Sequence, residues 1–228
     1  MVYALTNMGL WRSIDEGKNW HQVFTGSEVK GMFIDNQDNG KVYIATENHV
    51  FSSIDGINYS IYFTPENHKI HRFAGGSSTT GMTLAYASDE GDEAIDEAKD
   101  LQPGDVVKTY TKPSNAGTEV SAGMVYVNKN LAGFVRTTQF IGSHLKMAQN
   151  DEKTIYVTGA RSWGRDKGTS VYVSIDGGID WTLKLLQYNW DVVPFAPWSA
   201  LSLEHSPVAL NVGWYDAGYY TVAINQKN

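Results

Sequence analysis

Carboxylates, guanidinium groups and indole rings crowd three stretches in the last third of this sequence: ARSWGRDKG (160–168), QYNWDVVPFAPW (187–198) and GWYDAGYY (213–220). Cleaving a glycosidic bond takes two carboxyl groups about 5 to 10 Å apart, one protonated as acid and one ionised as base or nucleophile. Asp191 and Asp216 are the candidate catalytic pair. Around them Trp163, Trp190, Trp198, Trp214 and Tyr219 offer flat apolar faces, and Arg161 and Arg165 offer charged donors. That mixture suits a sugar chain, whose C–H faces stack on rings while its hydroxyls bond to polar groups. A plainer reading stays open beside it, in which the aspartates cap loops and the tryptophans pack between sheets.

Composition narrows the partners. The net charge is -7 and the isoelectric point near 5.3, so a basic face for nucleic-acid phosphates or anionic lipid is not expected, and neither is a polyanionic partner. There is no cysteine, which removes disulfides and thiolate metal sites. No run of about 18 apolar residues is present, and the first residues, MVYALTNMGLWRSIDEG, have neither the basic start nor the apolar centre of a signal peptide. No metal centre is expected. DNQDNG (35–40) resembles half a calcium loop but has Thr46 where the bidentate Glu would stand, so it reads as an Asn-Gly hairpin turn. His68 and His71 of HKIH have no third ligand in view.

The elements that must position these residues announce themselves as repeats. LWRSIDEGKNW (10–20) returns as VFSSIDGINYS (50–60) and as SVYVSIDGGIDWTL (170–183), with a degenerate copy in MVYVNKNLAGF (124–134), where Asn128 and Asn130 replace Ser and Asp. A period of about 40 to 45 residues is that of four-stranded propeller blades. Between the repeats lie short runs of Val, Ile, Tyr and Phe such as VKGMFIDN, KVYIAT, HVFSSID and YSIYF, each bounded by Asn, Asp or Gly. Such runs predict antiparallel meanders.

These residues resemble the Asp-box, or BNR repeat, family of β-propellers. Its pattern Ser-x-Asp-x-Gly-x-x-Trp is met at Ser13, Asp15, Gly17 and Trp20 and at Ser174, Asp176, Gly178 and Trp181, and in shortened form at Ser53 and Asp55. Sialidases, xyloglucanase-type glycoside hydrolases and sorting receptors share such propellers. The resemblance implies an all-β, single-domain propeller with blades near 1–27, 28–66, 67–142, 143–188 and 198–228, and a polysaccharide or glycan as partner. It implies an extracellular or periplasmic location. It also assigns the Ser-x-Asp turns a structural role on the face opposite the ligand, where Ser and Asp accept backbone N–H groups, Gly takes a positive φ and Trp folds beneath the hairpin. The three aromatic stretches fall in loops of the ligand face. A non-catalytic, protein-binding propeller and a structural propeller segment are the competing expectations.

Two further expectations concern completeness and cofactors. The strand count gives about four and a half blades, which predicts part of a larger ring, or a ring closed by a second chain, with a rearranged five-blade closure as the alternative. The third repeat is interrupted at 88–107 by SDEGDEAIDEAKDLQPGDVV, with eight acidic residues against one Lys. It reads as a short solvated helix on the ligand face; Asp89, Asp92 and Asp96 are also oxygen ligands of the type Ca²⁺ takes.

Overall fold

A computed structural model of the chain describes residues 1–88, 106–107, 124–137, 144–160, 168–188, 208–212 and 220–224. They form five antiparallel sheets. The first is β1 (Val2–Thr6), β2 (Gly9–Ser13) and β3 (His21–Thr25); the second is β4 (Gly31–Asp35), β5 (Lys41–Ala45), β6 (Val50–Ser53) and β7 (Ser60–Phe63). In the third, β8 (Ile70–Ser78), β9 (Gly81–Ser88), β11 (Val125–Lys129) and β12 (Val135–Arg136) follow in order. The fourth runs β13 (His144–Met147), β14 (Ile155–Ala160), β15 (Gly168–Ser174) and β16 (Trp181–Tyr188), with β10 (Val106–Val107) added beside β16. The fifth pairs β17 (Val208–Val212) with β18 (Tyr220–Ile224).

Burial explains why the second strands of the second and third sheets are nearly continuous in apolar residues. β9 is buried along seven of its eight positions and β5 along four of its five, because each of these sheets is covered on both faces. Outer strands such as β7 are half exposed. The core is accordingly divided into layers between sheets. Leu10, Val42 and Ile44 join the first sheet to the second with Phe24 against Phe51. Phe33, Tyr43, Phe73, Leu84 and Tyr86 join the second to the third, and Ala85, Val127, Leu145, Ile155 and Trp181 join the third to the fourth. Sheets packed face to face around inner strands, with the second, third and fourth each built on four strands in sequence, make this chain an all-β propeller.

At the inner edge two glycines let the sheets converge. A Cβ on Gly31 would lie 2.1 Å from the Phe73 carbonyl oxygen, and one on Gly76 would lie 2.1 Å from that of Asp151. Both contacts are with backbone of the next sheet, so any side chain there would force the blades apart.

The acidic insertion leaves β9 at Ser88, between the second and third strands of its sheet. Its last residues are not a loop: Val106 and Val107 pair antiparallel with Thr182 and Trp181, capping the outer edge of the fourth sheet. The expected helix and the Ca²⁺ ligands Asp89, Asp92 and Asp96 lie outside the described residues.

The two motif tryptophans differ, which the repeat pattern did not foresee. Trp181 is fully buried between the third and fourth sheets. Trp20 remains 38% exposed; its indole N–H donates to the Gly17 carbonyl at 3.0 Å, holding the ring over its own turn. Replacing Trp181 by Ala is expected to cost about 3–5 kcal/mol through lost burial and a cavity, whereas Trp20→Ala costs no more than about 1 kcal/mol. Urea unfolding midpoints of the two variants measure the contrast, and equal losses would contradict a core made between sheets.

Candidate functional site

Three Ser-x-Asp turns occupy one end of the sheets. In each, the Ser is buried and donates its hydroxyl to the following Asp: Ser13 to Asp15 at 2.7 Å, Ser53 to Asp55 at 2.8 Å, and Ser174 to Asp176 at 2.7 Å. The Ser oxygen in turn accepts the amide of Gly17 at 2.8 Å and of Gly178 at 2.7 Å, four residues on. In the second turn it accepts the amide of Gly56 at 2.9 Å, three residues on, so that turn is one residue shorter. Gly17, Gly56 and Gly178 have φ of 88°, 68° and 85°, the left-handed backbone that glycine adopts without strain. The degenerate copy works the same way, with buried Asn128 accepting the Gly133 amide at 3.1 Å.

The turn carboxylates are spent on this geometry. Asp55 accepts the Ile57 and Asn58 amides, both at 2.8 Å, and the Asn58 side chain at 2.7 Å. Asp176 accepts the Ile179 and Asp180 amides at 2.9 and 3.0 Å. The Asn19 amide, with the Ser13 hydroxyl and the Asn19 side chain, holds the Asp15 carboxyl down at about 2, and the Asn58 and Ile57 amides hold Asp55 lower still. A general acid needs the opposite shift, so Asp15 and Asp55 are set up to hold turns. Cations of neighbouring sheets fasten the turns in place: Arg12 donates to the Asp55 carbonyl at 3.1 Å and Lys129 to that of Asp176 at 2.7 Å.

Near the same end, Asp35, Asp38, Ser77, Thr80 and Asn130 line a polar cleft of about 350 Å³. Asp35 caps the DNQDNG hairpin by accepting the Gln37 amide at 3.0 Å, and Asn39 and Gly40 take φ of 51° and 74°. This is the Asn-Gly turn expected from the sequence.

The opposite end carries the loops of chemical interest. Pairing of Ala160 with Thr169 and of Gly168 with Tyr188 brings the departure points of 161–167 and of 189–207 to one end of the fourth sheet. His144 pairs with Thr158 at that end, while Ser174 and its turn lie at the other. Arg161, Trp163, Arg165, Trp190, Asp191, Trp198, Trp214, Asp216 and Tyr219 all lie outside the described residues, as do the mutual distances of any pair among them. Described groups at this end include the ion pair of Glu47 with Lys69, reinforced by the Ile70 amide on the Glu47 carbonyl at 2.7 Å.

His68 of the HKIH stretch is committed to packing. It stacks on Tyr126 at 4.6 Å between ring centroids and hydrogen-bonds the Tyr86 hydroxyl at 2.7 Å. His144, which sequence reading passed over, is half-buried with no hydrogen-bond partner for Nδ1 among the described residues. Burial, followed by the positive charges of Arg72, His71 and Lys146, brings its pKa down to about 4. Among the described residues no group of three or more acidic or histidine side chains gathers as a metal site.

No family model and no curated protein matches the chain. Among solved structures it is similar to the GH74 enzyme of Niastella koreensis, with a TM-score of 0.54 and 19% identity over 81% of this chain and 27% of that one. An ancestral GH74 enzyme gives a TM-score of 0.47 at 19% identity, covering 78% of this chain and 22% of that one. GH74 enzymes are β-propellers, and the first likeness agrees with the propeller fold described above. The chain spans about a quarter of the length of these enzymes.

Two measurements test this description of the two ends. Ser174→Ala removes the acceptor of the buried Gly178 amide and is expected to cost about 1–3 kcal/mol in urea unfolding; a change below about 0.5 kcal/mol would contradict the turn's role. His144 should titrate near 4 when its ring resonances are followed by NMR. Because folding disfavours its protonation, the stability it contributes is complete above the ordinary value of 6.5 and is lost as the pH falls toward 4. A midpoint near 6.5 would show that neither burial nor the surrounding cations act on it.

Proposed function

We propose that this propeller binds, and through Asp191 and Asp216 cleaves, a polysaccharide lying across the end of the sheets opposite the Ser-x-Asp turns. The observation that carries the reading is the common departure of two of the aromatic segments, 161–167 with its two arginines and 189–207 with Asp191, from one end of the fourth sheet. Sugar recognition favours such clustered rings and charged donors over any single residue. The fold likeness to GH74 enzymes supports a carbohydrate-active propeller in general terms. In this reading Trp163, Trp190, Trp198, Trp214 and Tyr219 supply stacking surfaces, and Arg161 and Arg165 bond to hydroxyls.

Incubation with plant, algal and bacterial polysaccharides, followed by mass spectrometry of soluble oligosaccharides, tests the proposal. Asp191→Asn and Asp216→Asn are each expected to reduce product formation by about 10²–10⁴-fold while leaving retention of the polysaccharide in native gels intact. Retention without products in the parent protein would make this a binding module; neither retention nor products would favour a protein-binding propeller.

A further inference from the structure

The inner strands of the second and third sheets, β4 and β8, lie against each other. A Cβ on Gly31 would strike the Phe73 carbonyl, and one on Gly75 would strike the Phe33 ring. Both strands keep an unbroken register from Gly31 to Asp35 and from Phe73 to Ser78, and side chains two apart on a strand share a face. Asp35, two past Phe33, and Ser77, two past Gly75, are therefore turned toward the same gap between the sheets. Phe33 fills the space that Gly75 leaves; beyond that contact the gap opens into the cleft of about 350 Å³, which Asp35 and Ser77 both line.

Several polar groups around this cleft are engaged with one another. Asp35 accepts the Gln37 amide and Asn130 Oδ1 the Met82 amide, both at 3.0 Å, Ser78 accepts the Thr80 amide at 3.1 Å, and the Thr80 hydroxyl donates to Glu152. These bonds fix the walls. Ser77 is different: it is 2% exposed, and its Oγ has no hydrogen-bond partner among the described residues. A buried hydroxyl left unpaired is costly, and this one faces the cleft. At the rim, Leu131 holds a left-handed φ of 62°, a conformation rare for a bulky residue, with its apolar side chain 46% exposed.

We propose that this cleft is a second binding site, taking a neutral saccharide of one or two rings. The Ser77 hydroxyl and the Asn130 side-chain nitrogen donate to sugar oxygens, the Asp35 and Asp38 carboxylates accept sugar hydroxyls, and Leu131 covers a C–H face. Charge and size select this class. None of the described residues lining the cleft is basic, which together with the net charge of -7 turns anions away. A calcium ion needs about six to eight oxygens at contact, whereas Asp35 and Asp38 are the carboxylates among the described lining residues and Asp35, Ser78, Thr80 and Asn130 already spend oxygens on the walls. The volume lies at the low end of small-molecule sites, about 300–1,000 Å³. This site is on the end that carries the Ser-x-Asp turns, so it is independent of the polysaccharide reading of the opposite end.

Amide NMR spectra of the full chain, recorded with glucose, galactose, xylose, cellobiose or xylobiose and separately with calcium chloride or sodium sulfate, test the site. At least one sugar should shift the amides of 77–82 and 130–131 saturably, and neither salt should. Ser77→Ala removes an unpaired group, so its urea midpoint should equal or exceed that of the parent while its affinity for that sugar falls about threefold or more. Asp38 is exposed in its hairpin, and Asp38→Ala should lower the affinity about tenfold or more without unfolding the chain. A serine with only a structural role would give the reverse for Ser77→Ala, a lower midpoint and an unchanged affinity. The site is overturned if no sugar shifts these amides, if only calcium or sulfate does, or if both variants keep the parent's affinity. Sugar-induced shifts confined to the strand ends beside 161–167 and 189–207 would also overturn it, and would leave the polysaccharide reading in place.

Discussion

No sheet in this protein can bury itself. A twisted four-stranded sheet has two faces, and in the second and third sheets both are apolar, so each can leave water only by lying against its neighbours. The apolar clusters obey this: each joins two sequential sheets. The dependence sets the rest of the architecture. It makes second strands such as β9 apolar on both faces, places Gly31 and Gly76 where backbones of adjacent sheets nearly touch, and leaves only the ends of the sheets free to vary.

The two ends then divide their labour. At one, the Ser-x-Asp turns consume their carboxylates in backbone hydrogen bonds and are tied to the neighbouring sheet by Arg12 and Lys129. Fixing the turn fixes the register of the outer two strands, and a slip of one residue would turn buried side chains to solvent. The carboxylates of these turns are engaged by backbone amides. The opposite end, where long segments leave the fourth sheet, is not bound by those turns.

What was legible in the sequence followed from range. Ser13, Asp15 and Gly17 act on one another within five residues, so their spacing alone gave the turn, and even Asn128 could be recognised as a stand-in for Ser. Trp20 and Trp181 occupy the same motif position, yet only Trp181 is buried, because its burial depends on Val127 and other residues of the preceding sheet. The addition of β10 to β16 rests on two residue pairs, too short a run for alternation to signal. The aromatic segments were visible by composition, while their geometry depends on backbone outside the described residues.

Charge shows how far composition can mislead about a site. A net charge of -7 describes the whole molecule, and much of the acid lies in the insertion at 88–107 and in turn carboxylates already satisfied by amides. What His144 meets is instead a local sum: burial first, then the positive charges of Arg72, His71 and Lys146, keep it from protonating. Coulomb energy falls with distance and is screened by salt, so the nearest few groups outweigh the distant excess. A negatively charged protein can therefore hold a histidine against protonation, because burial and positive charges from separate stretches of the chain act on it together.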